Sequence, residues 1–188
     1  MAVRIYIDQG HNPQSPNSGA EGNGLREQDI TYTVGMELAA LLEADGGFTV
    51  RLSRPTPETQ IGQSNASSLA LRVQDANTWG ADYFISIHTN AAENPAASGS
   101  EQLVYQTVGT AYRLALAIGA QLADVTGLRN RGVIARPGLY VLRRTAMPAV
   151  LSEIGFITNP GDASLMASRP DLFAEGIYRG ILTFLGRR

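Results

Sequence analysis

Short apolar runs rich in β-branched residues alternate along the chain with segments of helical periodicity, and this alternation narrows the available folds more than any other feature. Val3 to Ile7 reads as a buried strand that stops at Asp8. A polar loop from Gln9 to about Gly24 follows, and then a helix from Leu25 to about Ala44. That helix carries Ile30, Val34, Leu38, Leu41 and Leu42 at spacings of three and four, and Gly46-Gly47 closes it. Phe48 to Leu52 predicts a strand, Ala66 to Trp79 a helix and Tyr83 to Ile87 a strand. Glu101 to Tyr105 predicts another strand, and Ala111 to Thr126 a helix stopped by Gly127. Leu139 to Leu142 and Ala149 to Ser152 read as short strands, and Pro170-Asp171 opens a last amphipathic helix through Leu185. No repeat or linker divides residues 1–188. The pattern predicts one α/β domain with a twisted, largely parallel (mixed) sheet of about six strands, flanked by helices on both faces.

Residue usage limits the chemistry. The chain has no cysteine, all 15 of its Lys+Arg residues are arginine, and its two histidines are His11 and His88. Thiol nucleophiles, Cys-based zinc sites and Schiff-base lysines are excluded. A formal net charge of −2 gives no support to a nucleic-acid or membrane-surface partner. No window approaches the length of a membrane-spanning apolar segment. The opening MAVRIYIDQGH enters a strand directly, so no signal peptide is expected in this chain.

The unusual residues fall at strand ends. His11 lies just beyond Ile5-Tyr6-Ile7-Asp8, His88 directly follows Phe84-Ile85-Ser86-Ile87, and Glu153 directly follows Ala149-Val150-Leu151-Ser152. In parallel α/β sheets ligands bind outside the carboxyl ends of the strands, so these three residues converge if their strands are parallel. Two imidazoles with carboxylates make a nitrogen–oxygen donor set that suits a three-ligand Zn²⁺ site. Glu27, at the entry of the first helix, is the best-placed third ligand, with Glu21, Asp29 and Asp8 as competitors; Glu153 is then the base. Each residue also has a plainer reading. A strand-end histidine can simply hydrogen-bond, Glu27 can complement the helix dipole, and Asp8 can orient a histidine. A carboxylate set between Ala149-Val150-Leu151 and Ile154-Gly155-Phe156 is expected to be partly buried, which calls for pairing or function. No G-x-S-x-G elbow, G-x-G-x-x-G loop or H-E-x-x-H motif is present.

Four segments, in order, resemble the zinc-dependent N-acetylmuramoyl-L-alanine amidases of the type 3 amidase family. They are Ile5-Tyr6-Ile7-Asp8-Gln9-Gly10-His11, the Glu of Gly24-Leu25-Arg26-Glu27, Phe84-Ile85-Ser86-Ile87-His88-Thr89-Asn90, and Pro148-Ala149-Val150-Leu151-Ser152-Glu153-Ile154-Gly155-Phe156-Ile157-Thr158-Asn159. The chain departs from the family after the first histidine, where Asn12-Pro13-Gln14-Ser15-Pro16-Asn17-Ser18-Gly19-Ala20 replaces a Gly-Gly-x-Asp-Pro-Gly-like stretch. The resemblance implies Zn²⁺ on His11, Glu27 and His88, and Glu153 as the catalytic residue. The implied bond joins N-acetylmuramic acid to L-alanine in peptidoglycan. Asn90, Arg143, Arg144 and Asn159 become candidate substrate contacts. A monomer acting at the cell wall, secreted or phage-released, is expected. Rival readings are a zinc peptidase acting on the stem peptide and a non-catalytic wall-binding module.

Overall fold

Elements follow the chain as β1 (Val3–Gln9), β2 (Glu21–Gly22), β3 (Leu25–Arg26), α1 (Glu27–Asp45), β4 (Phe48–Leu52), α2 (Asn65–Trp79) and β5 (Tyr83–Asn90). They continue as β6 (Ser100–Val104), α3 (Gly109–Thr126), β7 (Asn130–Ala135), α4 (Tyr140–Arg144), β8 (Ala149–Phe156), α5 (Pro160–Ser168) and α6 (Pro170–Phe184). The computed structural model describes residues 2–187. The main sheet has the order β4-β1-β5-β8-β6-β7, and β2 and β3 form a separate small hairpin. Strands β4, β1, β5 and β8 are mutually parallel. β6 runs antiparallel to β8, with β7 parallel to β6. The sheet is thus mixed, with its parallel half carrying the strand ends singled out in the sequence.

Period-two alternation sorts the central strands onto two cores. Ile5, Ile7, Ile85, Ile87, Val150 and Ile154 pack with residues of α1, α3 and α6 on one face. Tyr6, Phe84, Leu103, Ala149 and Leu151 pack with residues of α2 and α4 on the other. Continuing the alternation places Asp8, Ser86, His88, Glu153 and Glu101 on the α2/α4 side. Helix ends follow their local chemistry. Ser64 and Ser67 form a reciprocal capping box at the start of α2, and Asn159 caps α5 ahead of Pro160. Gly46, Gly80 and Gly127 end their helices in the left-handed conformation. No helix among the described residues is long and apolar enough to cross a membrane.

Several sequence expectations are corrected, among them the ends of two strands: β5 runs past His88 to Asn90, and β8 past Glu153 to Phe156. Leu139 to Leu142 is not a strand: Tyr140–Arg144 forms the short helix α4, which buries Val141 and Leu142 against the second core. Four β-prone residues cannot declare their state locally, and packing on the sheet decides it. The edge strand β7 was missed because Asn130, Arg131 and Gly132 break any apolar alternation. Helix α5, and the β2–β3 hairpin inside the polar loop, were also unforeseen. α1 therefore begins at Glu27 rather than Leu25.

Candidate metal centre and active site

The end of β1 is held by one buried arginine. Arg72 of α2 donates to Asp8 Oδ1 at 2.6 Å, to the Gln9 carbonyl at 2.7 Å, and to the His11 carbonyl and Asn12 Oδ1. Ser86 Oγ donates to the other Asp8 oxygen at 2.8 Å. Burial pushes the Asp8 carboxyl up, but the Arg72 guanidinium and the hydrogen bonds outweigh it and leave Asp8 below the usual carboxylate range. This clamp fixes the backbone at His11, whose φ of 66° lies in the left-handed region that a residue with a Cβ rarely adopts. Gly10 is needed just before it. A Cβ there would come within 2.5 Å of His88 Cε1 and 2.6 Å of the Ile87 carbonyl oxygen.

Glu27 enters from the head of α1 and touches both histidines. Its Oε2 lies 3.2 Å from His11 Nε2, and its Oε1 lies 3.1 Å from His88 Nδ1. Backbone N–H groups of Ala20 and Thr89 each donate to one of its oxygens at 2.9 Å. The hairpin supports this placement, since the Glu27 N–H donates to the Ala20 carbonyl. Gln28 Oε1 accepts from the Gly19 N–H. Burial raises the Glu27 carboxyl, but the contacts with His11 and His88 win and hold it well below the usual range. Burial alone would lower His88; its contact with Glu27 and the charges of Glu153 and Asp8 raise it instead.

His11, Glu27 and His88 each offer a donor atom within 4.8 Å of the others. His11 meets Oε2 and His88 meets Oε1, so one carboxylate faces both imidazoles, the nitrogen–oxygen donor set of a three-ligand site. The chemistry of the set also fits. A divalent cation would replace the proton that Glu27 draws onto His88, as metal binding at imidazole and carboxylate ligands generally does. The residues present therefore fit a metal ion. Of the sequence competitors, Asp8 is committed to Arg72 and Ser86, and Asp29 pairs with Arg26 at 2.8 Å on the surface.

Glu153 sits on β8 in register with His88 on one side and Glu101 of β6 on the other. Its Oε2 is buried without a hydrogen-bond partner among the described residues. Burial pushes its carboxyl up to about 7, with His88 opposing and the charges of Glu27 and Glu101 adding to the rise. An uncommitted carboxylate oxygen with a proton affinity near neutrality can both take and return a proton. Glu101 escaped the sequence reading. It accepts from Asn90 Nδ2 at 2.9 Å and from Arg131 Nε at 3.0 Å. Arg72 escaped as well, although a buried Asp8 was a signal that a cationic partner must exist.

The remaining candidates are placed differently. Asn90 is tied to Glu101 and to the Ala91 N–H. Asn159 is committed at both ends, accepting from Gly161 and Asp162 as a helix cap and donating to the Pro95 carbonyl. Arg143 and Arg144 are exposed at the far end of α4 from Tyr140. Arg143 borders a groove with Tyr105 and Pro148, and the Arg144 carbonyl accepts from Asn77 near the end of α2. Neither arginine joins the His–Glu–His cluster.

An α/β sheet whose strand ends gather a His–Glu–His cluster and a separate buried carboxylate has the parts of an amide hydrolase. The chain belongs to the N-acetylmuramoyl-L-alanine amidase family, whose profile matches residues 5–183. The N-acetylmuramoyl-L-alanine amidase CwlM of Bacillus licheniformis is 38% identical over 189 residues, covering 98% of this chain and 68% of that protein. The amidase LytC of Bacillus subtilis (strain 168) is 37% identical over 187 residues, covering 96% of this chain but 35% of that protein. The crystal structure of an N-acetylmuramoyl-L-alanine amidase from Clostridium difficile 630 superposes with a TM-score of 0.87 at 30% identity, covering 98% of this chain and 97% of that one.

Proposed function

We propose that the chain hydrolyses the amide bond between the lactyl group of N-acetylmuramic acid and the L-alanine of the peptidoglycan stem, and that it does so with Zn²⁺ held by His11, Glu27 and His88. The observation that carries the reading is the partnerless buried Oε2 of Glu153, one strand across from His88, within a chain of the amidase family. When bound, the ion supplies Lewis-acid polarisation of the scissile carbonyl and acidifies water. The chain's own groups do the rest. Glu153 accepts a proton from the attacking water at Oε2 and returns it to the departing amine nitrogen of L-alanine. Arg72 and Asp8 hold the His11 backbone, and the Ala20 and Thr89 N–H groups fix the Glu27 carboxylate, so little reorganisation is needed at reaction. The place of action is then the cell wall.

Digestion of purified peptidoglycan tests this. The expected product is a stem peptide with a new L-alanine amino terminus, released only when a divalent metal is available. Cleavage inside the stem would make the chain a peptidase. Sedimentation with walls and no soluble product would make it a binding module.

A further inference from the structure

Behind the two histidine rings lies a cavity of about 120 Å³. Leu69 of α2, Leu139 and Val141 at the start of α4, and Leu151 of β8 give it an apolar wall. The rings of His11 and His88 form another side, which sets the space directly against the candidate metal ligands. Asp8, Asn17, Arg72 and Tyr140 complete the lining, and the first three are largely engaged within the protein, the Asn17 amide donating to Ser68 Oγ at 3.0 Å. Both Asp8 oxygens are engaged, by Arg72 and Ser86. Arg72 spends its donors on Ser68, Asp8, Gln9, His11 and Asn12. Water in such a space finds few partners, and displacing poorly bonded water with an apolar group favours binding. At roughly 30 Å³ per water, the volume takes a group of only a few carbons.

We propose that this cavity is a specificity subsite that seats the methyl-bearing carbon next to the scissile amide. The inference rests on the amidase reading above. In that substrate the carbons on both sides of the amide carry a methyl group, one from the lactyl ether and one from L-alanine. The cavity recognises the chemistry they share, a small aliphatic branch one bond from the reacting group. A larger branch is excluded by Leu139 and Leu69, and a missing branch leaves the space unfilled.

The test compares three synthetic substrates: the parent muramoyl–L-alanyl peptide, its glycyl analogue, and an analogue with a glycolyl ether in place of the lactyl group. Removing the methyl that enters the cavity should lower kcat/KM by about 10- to 200-fold, the usual worth of one carbon in an apolar pocket. The other deletion should change it little, which identifies the source of the methyl. Leu139→Phe, filling the cavity from the start of α4, should impose a similar loss on the parent substrate and almost none on the methyl-less analogue. Leu69→Phe fills it from α2 and serves if Leu139→Phe does not fold, with circular dichroism and thermal melting as the check. The inference is overturned if neither methyl deletion changes wild-type kcat/KM by more than about twofold, or if a folded filling variant slows all three substrates alike. Failure of the wild-type chain to cleave even the parent bond would instead overturn the amidase reading.

Discussion

Arg72 and Asp8 form an ion pair at 2.6 Å with side chains only 1% and 2% exposed, and the same guanidinium holds the carbonyl of His11. A single residue of α2 thus links the buried charge at the end of β1 to the backbone of a candidate metal ligand. Arg72→Ala strands the Asp8 carboxylate and should cost about 3–5 kcal/mol, the range for breaking a buried pair. Lysine should recover only part, because it cannot fork between Asp8 and the His11 and Asn12 oxygens. Urea unfolding measures both. The pair also sets a pH dependence. Asp8 has a lowered folded-state pKa, so its contribution is present above the ordinary carboxylate range and is lost as pH falls through that lowered value.

Glu153→Gln should leave fold and metal content intact while lowering the hydrolytic rate by about 10²–10⁴-fold, the usual contribution of a positioned proton carrier. A rate near wild type, with metal bound, would remove Glu153 from the chemistry.

The same substitution has a signature in stability. The Glu153 carboxyl, raised to about 7, holds its proton more tightly in the folded chain than in the unfolded one. The metal-free wild-type chain should therefore lose stability relative to the Gln variant as pH rises from about 4.5 to about 7. Denaturation midpoints of the two chains across that range check the sign; a constant difference would refute it.

Single replacement of His11, Glu27 or His88 by alanine should abolish stoichiometric zinc binding, measured by metal analysis after dialysis. A Glu27 variant that keeps one equivalent of zinc would take that residue off the ligand set. Chelation of the wild-type chain should stop hydrolysis, and added Zn²⁺ should restore it.

Gly10→Ala places a Cβ 2.5 Å from His88 Cε1 and 2.6 Å from the Ile87 carbonyl oxygen. The His88 ring must move, so metal affinity should drop more than stability, which overpacking of this kind lowers by about 1–3 kcal/mol. Unchanged zinc affinity would show that the ring has room the structure does not display.

Much of the site was legible because it is local. His88 and Glu153 each follow a short, mostly apolar run, which names its strand but not its end, since β5 runs on to Asn90 and β8 to Phe156. Glu27 was legible as a helix-entry carboxylate. For Arg143, Arg144 and Asn159, proximity in sequence to Glu153 gave no information on the helical state of α4 or the capping duty at α5.

Alternation of strand and helix, together with two histidines and no cysteine, was enough to determine an α/β sheet with a nitrogen–oxygen site at its strand ends. Tertiary structure alone decided the rest. The reversal of β6 brings Glu101 beside Glu153, the reach of Arg72 locks His11, and the turn of α4 closes an apolar space behind the ligands. Periodicity records how each segment meets a core, but contacts between segments far apart in sequence leave no local trace, because they depend on which elements become neighbours when the sheet assembles.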